Sequence, residues 1–397
     1  MTAAIDVEAV RSATPGAAHA HHFNAAGCSL ASRATLAAVC EHLELEAHAG
    51  GYEAAAAVRP RIEAVYEAAA VLLGARAHEI ALVESATVGW QRAIDALRLG
   101  RGDHVVVSRS AYVSFALQLL ALARDRGVVV EVVPSGADGA VELARLERAL
   151  DGAAMLALAH VPTSSGLVEP VAAAGALARA AGVPFFVDAT QSVGQLGVDV
   201  GAIGCDVLVT TGRKYLRAPR GTGLLYVRDE LLAPAAPDVR GAEWVGDRDW
   251  TLEPGARRFE TWEASVALRL GLGVALSEAA ALDVAATEAH LTSVAARLRD
   301  ALSEVPGVEL ADPPAACSAI VTFQVAGLSC AEVVSGLAGR GVKVVAVPRG
   351  HALWDLGGRG LTAVVRASPH VYDNDADLEA LLDGVGAIAR ARKEFAA

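Results

Sequence analysis

Short apolar segments recur along this chain with alanine-rich windows between them: HVVVS (104–108), VVVEVV (128–133), AMLALA (154–159), PFFVD (184–188) and DVLVT (206–210). Strands that are apolar on both faces and alternate with helix-forming stretches build βαβ units, and hence a mostly parallel sheet covered on both sides. In such sheets a ligand sits beyond the carboxyl ends of the strands, so the residues that follow each apolar run are the ones to examine. The pattern ends with GTGLLYVR (221–228), and a loop rich in Pro, Gly, Asp and Trp over 233–257 marks a candidate boundary. Residues 264–305 read as long helices. CSAIVTFQV (317–325), VKVVAV (342–347) and LTAVVRAS (361–368) then predict a smaller α/β unit. At the other end, residues 1–25 lack sustained periodicity, while 34–74 are helical by the three- and four-residue spacing of RIEAVYEAAAVLLG. The organisation expected is an N-terminal arm (1–25), a large domain (26–257) and a small C-terminal domain (258–397).

With 397 residues, 53% of them hydrophobic, the chain can bury a large core and is not a disordered one. A net charge of −12 argues against a nucleic-acid groove or an anionic membrane surface as its partner. The start lacks the pattern of a signal peptide, and apolar runs such as AAMLALA stop well short of a membrane span. Cys28, Cys40, Cys205, Cys317 and Cys330 are scattered without metal-ligand spacing, so reduced thiols in a cytoplasmic protein are expected. No metal site is expected; the HAHH run at 19–22 has no acidic or cysteine partner beside it and reads as part of the arm.

Two segments carry the chemistry. PFFVDATQSVG (184–194) is a buried strand ending on Asp188, and TTGRKYLRAPRGTGLLYV (210–227) places Lys214, one of only three lysines, between glycine-rich turns and a strand. A lysine becomes nucleophilic when apolar surroundings and a neighbouring cation, here Arg213, favour its neutral form. A carboxylate at a strand end paired with a later lysine suits pyridoxal 5'-phosphate (PLP): the acid meets the pyridinium nitrogen and the amine holds the aldehyde.

The order of these parts, from FNAAGCS (23–29) to VRASPHVYDN (365–374), resembles the class V aminotransferase superfamily of PLP enzymes. The segment RKYLRAPRGTGLLYVR is similar to that of the C–S lyases of ergothioneine biosynthesis and of enzymes that process cysteine conjugates in lincosamide pathways. The resemblance implies an α/β, fold-type-I PLP-dependent transferase: a large domain with a mostly parallel, seven-stranded-type sheet and a smaller C-terminal α/β domain. It implies a homodimer with active sites at the interface. In VESATVGWQ, Ala86 and Thr87 match the phosphate turn, with Ser85 where a glycine is usual; the same triplet also reads as a helix N-cap. Arg213 stands where many relatives carry histidine, beside Thr211 and Lys214. Tyr112 matches the aromatic residue that stacks on the pyridine. Thr163, in place of asparagine, and Gln191 match residues that bond the 3' oxygen. The Gly-Thr pair that a partner subunit supplies in relatives is replaced in RFETWEAS by Trp262 and Glu263.

For the substrate, Arg366 matches the arginine that receives an α-carboxylate, a task suited to the guanidinium fork. Asn24 and Ala25 match a substrate-facing turn. His351 and Trp354, on the RGHALWDLGG loop, and Arg220 are candidates for the same pocket. Desulfurases of the superfamily need a cysteine shortly before the carboxylate arginine, and residues 345–366 contain none. The expected activity is therefore a C–S β-lyase acting on an S-substituted cysteine or its sulfoxide. Decarboxylation with oxidative deamination, epimerisation and transamination remain open on the same site, as does a catalytically silent binding protein of the same fold.

Overall fold

A computed structural model describes residues 4–231 and 242–396. Seven strands form the main sheet: β1 Ile80–Val83, β2 His104–Ser108, β3 Val129–Val133, β4 Met155–Ala159, β5 Phe185–Asp188, β6 Val207–Thr211 and β7 Gly223–Val227. Their order is β3-β2-β4-β5-β6-β7-β1, and only β7 runs antiparallel to its neighbours. Every residue of β1, β4, β5, β6 and β7 is buried, which is why these strands read as continuous apolar runs. One face packs on Phe185, Leu156 and Leu208, the other on Phe186, Phe115 and Trp90. Trp90 stacks on Phe115 with ring centroids 4.3 Å apart.

A second sheet, wholly antiparallel, takes the order β8-β9-β11-β10 from β8 Val308–Leu310, β9 Val321–Val325, β10 Val345–Pro348 and β11 Ala363–Ala367. Its core is shared with helix Val284–Ser303 and with Phe23 of the N-terminal segment. That segment is anchored by Arg11 on the Tyr372 carbonyl (2.9 Å) and by His21, whose Nδ1 lies 2.6 Å from Asp377. No single described helix is long and apolar enough to cross a membrane.

Three expectations need correction. Helix Val266–Ala281, which a division at 257/258 assigns to the small unit, buries Leu272, Ala275 and Leu276 in the core of the large sheet. Phe259 and Glu260 are also buried against the large domain, so the small unit's own core begins only with Val284–Ser303. Of the loop over 233–257, residues 233–241 lie outside the described residues, while Ala242–Gly246 and Asp249–Leu252 form an antiparallel hairpin. The RGHALWDLGG segment is a 3₁₀ turn, Arg349–His351, followed by helix Leu353–Gly358.

Candidate active site

Beyond the carboxyl ends of the strands lies a cleft of about 210 Å³, lined by residues that include Glu84, Ser85, Ala86, Thr87, Tyr112, Lys214 and Arg220. The chain leaves β1 through Glu84 and Ser85 and enters helix Ala86–Ala96. Ser85 caps that helix, its hydroxyl accepting from Val88 N at 3.3 Å. The first amides of the helix, Ala86 and Thr87 among them, have no intrahelical acceptor and suit an anion. The N-cap reading of the Ser-Ala-Thr triplet is thus observed, and it is compatible with an anion at the same amides. Gly223, at the start of β7, makes room for this turn: a Cβ there would lie 2.6 Å from the Thr210 carbonyl and 3.1 Å from Ser85 C.

Lys214 follows β6 and is only 6% exposed. Its turn is closed by Arg217 N on the Lys214 carbonyl (2.9 Å), with Arg217 in the left-handed region at φ 59°. Burial pulls the Lys214 amine down to about 7; Arg213 and Arg366 push the same way and Asp188 opposes them. Asp188, at the end of β5, is buried and accepts from Thr190 N at 3.0 Å. Burial raises its carboxyl, against the pull of that Thr190 contact and of Lys214. Tyr112 caps the helix Val113–Arg126, and its ring centroid lies 5.8 Å from Lys214 Nζ.

The part of the site around Arg366 is assembled from three distant segments. Arg366, on β11 and fully buried, donates from Nη1 to Thr163 Oγ1 at 2.6 Å and from Nη2 to Asn24 Oδ1 at 3.3 Å; its Nε is buried without a partner. Burial lowers the Arg366 guanidinium to about 10, so it stays charged at neutral pH. Ala25 N donates to the Ser368 carbonyl at 3.0 Å, which ties the arm's turn to the same strand. Gln191 Nε2 spans the Ala26 carbonyl (3.1 Å) and Thr163 Oγ1 (3.3 Å), so it supports Thr163 rather than facing a ligand with that nitrogen.

Other expected residues sit differently. Thr211 lines the cleft, but its hydroxyl donates to the Thr222 carbonyl at 3.1 Å. Arg213 lines it too, with one Nη1 hydrogen bond to the Gly27 carbonyl. His351 is exposed, on a 3₁₀ turn that is followed by buried Ala352, and like Arg366 and Asn24 it is not among the residues lining this cleft. Trp354 packs on the apolar cluster that contains Phe115 and Tyr112. Trp262 is 76% exposed, while its neighbour Thr261 donates to Glu84 Oε1 at 2.9 Å.

Sequence reasoning missed Asp355. Its carboxylate accepts from Ser164 Oγ (2.5 Å) and pairs with Arg359 (2.9 Å), clamping helix Leu353–Gly358 onto the residue beside Thr163. Nothing in the sequence around Asp355 signals this. Glu84 adjoins the phosphate triplet and could have been flagged by that position alone.

These residues fit pyridoxal 5'-phosphate. A carboxylate buried as deeply as Asp188 is stabilised by a charged N–H donor, which a pyridinium supplies. Buried Thr190 Oγ1 and Gln191 Oε1 are left without partners around Asp188 and Thr163. The pairing of a buried, easily neutralised lysine with a buried aspartate at the ends of a doubly covered sheet defines a fold-type-I PLP enzyme. The Aminotransferase class-V family profile matches residues 21–381, and the chain belongs to that family. It is 28% identical to a probable cysteine desulfurase of Methanothermobacter thermautotrophicus over 86% of each chain. It is 29% identical to a probable hercynylcysteine sulfoxide lyase of Mycobacterium tuberculosis, over 93% of this chain and 90% of that one. Among solved structures, the cysteine desulfurase CsdA (S-sulfonic acid) of Escherichia coli superposes with a TM-score of 0.90 at 25% identity, covering 98% of this chain and 100% of its own.

Proposed function

We propose that this protein is a PLP-dependent C–S β-lyase that converts an S-substituted cysteine, or its sulfoxide, with water into a thiol or sulfenic acid, pyruvate and ammonia. The observation that carries this reading is the lack of a cysteine in the segment that leads to Arg366. Over 345–366, the stretch where desulfurases carry their cysteine, this chain has none, and the helix within it is clamped through Asp355 to Ser164. Cys205 is fully buried and its thiol is pushed up by that burial. A persulfide route would need a mobile, accessible thiolate.

When bound, the cofactor supplies an electron sink that lets the Cα–H bond of the amino acid break. The protein's part is to bind and to move protons. Arg366 takes the α-carboxylate through its fork, with Asn24 and Thr163 fixing the plane of the guanidinium. Lys214 Nζ, whose neutral form burial makes accessible near neutral pH, takes the Cα proton as general base. Asp188 keeps the ring nitrogen charged, and Ala86 and Thr87 hold the phosphate. The Cβ–S bond then breaks with its electron pair leaving on sulfur. Tyr112 borders the cleft beside Lys214, where its ring would stack on that of the cofactor.

A homodimer in a cytoplasmic setting completes the reading, supported by the exposed aromatic rings of Tyr52 and Trp262 and by five unpaired cysteines. The test is product identity after incubation with a panel of cysteine S-conjugates and sulfoxides. Pyruvate, ammonia and the sulfur product in equal amounts support the lyase. Carbon dioxide matching ammonia would replace it with decarboxylating deamination. Alanine with enzyme-bound persulfide would replace it with desulfuration.

A further inference from the structure

Arg220 was expected beside the substrate; it lines the cleft together with the Ser85–Thr87 turn. Strands β1 and β7 run antiparallel with Val83 opposite Gly223, so the chain entering β7 passes directly over the turn leaving β1. A Cβ at Gly223 would meet the Thr210 carbonyl at 2.6 Å and the Ser85 backbone at 3.1 Å, so the two segments lie in close contact there. Arg220 lies three residues before Gly223 and lines the same cleft as Ser85, Ala86 and Thr87. The carboxylate anchor lies elsewhere: Arg366, Thr163 and Asn24 are not among the residues lining this part of the cleft.

Charge points the same way. A phosphate monoester carries close to two negative charges at neutral pH. The helix N-terminus offers the equivalent of about half a positive charge. Arg213 offers another cation, with part of its hydrogen-bonding capacity spent on the Gly27 carbonyl. Lys214, buried and lining the cleft, is committed to the aldehyde end. Arg220 has no hydrogen-bond or ion-pair partner among the described residues. The nearby acid does not neutralise it, because Glu84 is engaged by Thr261 at 2.9 Å and Arg92 at 3.5 Å. Arg220 is exposed at the rim, so directing its guanidinium to an anion at the helix end costs little desolvation.

We infer that Arg220 is a ligand of the cofactor's phosphate, supplied by the same chain that holds Lys214. The inference rests on the cofactor and is independent of which reaction the loaded enzyme performs. The test compares PLP with pyridoxal, which has the same ring and aldehyde and lacks the phosphate. Dissociation constants of both for the apoprotein are measured by absorbance titration, for wild type, Arg220→Ala and Arg220→Lys.

Arg220→Ala is expected to weaken PLP binding by ~10- to 100-fold, the range for a lost charge-assisted hydrogen bond, and to leave pyridoxal binding unchanged. Arg220→Lys should recover part of the loss, since a point charge remains without the fork. The phosphorus NMR resonance of bound PLP should shift in Arg220→Ala. Equal PLP affinity in wild type and Arg220→Ala overturns the inference, as does equal weakening of PLP and pyridoxal. A wild-type protein that binds neither compound overturns the cofactor assignment itself.

Discussion

Arg366 and Thr163, 203 positions apart in the chain, meet through two hydrogen bonds: Nη1 to the Thr163 hydroxyl at 2.6 Å and to its carbonyl at 3.2 Å. One residue comes from the small antiparallel sheet and the other from the turn after β4 of the large sheet. The Arg366 end of the site thus spans two separately packed units, and its geometry depends on their docking. Asp355 reinforces that docking one residue away, at Ser164.

Replacing Arg366 by lysine keeps the charge and removes the fork. The loss of charged hydrogen bonding is expected to be ~1.5–3 kcal/mol, or roughly ten- to hundredfold in kcat/KM for an amino-acid substrate. Steady-state kinetics decides this, and a change under about threefold would move the carboxylate to another residue.

Asp188→Ala removes the group that keeps the ring nitrogen charged. Turnover should fall by ~10²–10³, the usual cost of a lost transition-state charge contact. Because Asp188 accepts from Thr190 N at 3.0 Å, a Tm measurement belongs with the assay, to separate chemistry from folding. Near-normal activity in a folded variant would make Asp188 structural.

Lys214 predicts both a colour and a pH profile. The loaded protein should be yellow, Lys214→Ala should lose that band, and borohydride reduction followed by mass spectrometry should place the pyridoxyl group on Lys214 rather than Lys343. The amine is pulled from its ordinary 10.5 to about 7, and only the neutral form attacks an aldehyde. The rate of reconstitution of the apoprotein should therefore rise with pH through about 7. Between about 7 and 10.5 the folded chain binds fewer protons at Lys214 than the unfolded chain does, so this group makes apoprotein stability rise with pH across that window. A midpoint near 10 in the reconstitution profile would contradict the burial of Lys214.

Removing the cysteines tests the lyase reading directly. With all five replaced by serine or alanine, pyruvate formation should persist in a folded protein, because the lyase route uses no protein thiol. Loss of activity on changing Cys317 or Cys330 alone, with the circular dichroism unchanged, would restore a persulfide mechanism.

Much of the site could be read locally. Asp188 and Lys214 announced themselves because each ends or follows a strand whose apolar run is unmistakable, and a buried strand end has few uses for a charge. The Ser85–Thr87 turn was legible for a similar reason, as a polar triplet between an apolar run and a helix. The RGHALWDLGG segment misled because a stretch with His, Trp and Gly looks like an open loop, whereas its backbone closes into a 3₁₀ turn and a short helix that bury Ala352 and Leu356. The domain boundary misled because a loop was taken as the seam, while the helix after it, Val266–Ala281, returns to the large core.

What the sequence determined by itself is set by period and by chemistry carried on single residues: alternating strands and helices, a lysine and an aspartate at strand ends, and an arginine in a β-strand near the carboxyl end. What only the tertiary structure decided is how groups far apart in sequence share a space. The burial that lowers the Lys214 amine, the joining of Arg366 to Thr163 and Asn24, the clamp of Asp355 on Ser164 and the placing of Arg220 in one cleft with Ser85, Ala86 and Thr87 all arise this way. Desolvation and hydrogen-bond geometry depend on every neighbour in three dimensions, and spacing along a chain does not specify them.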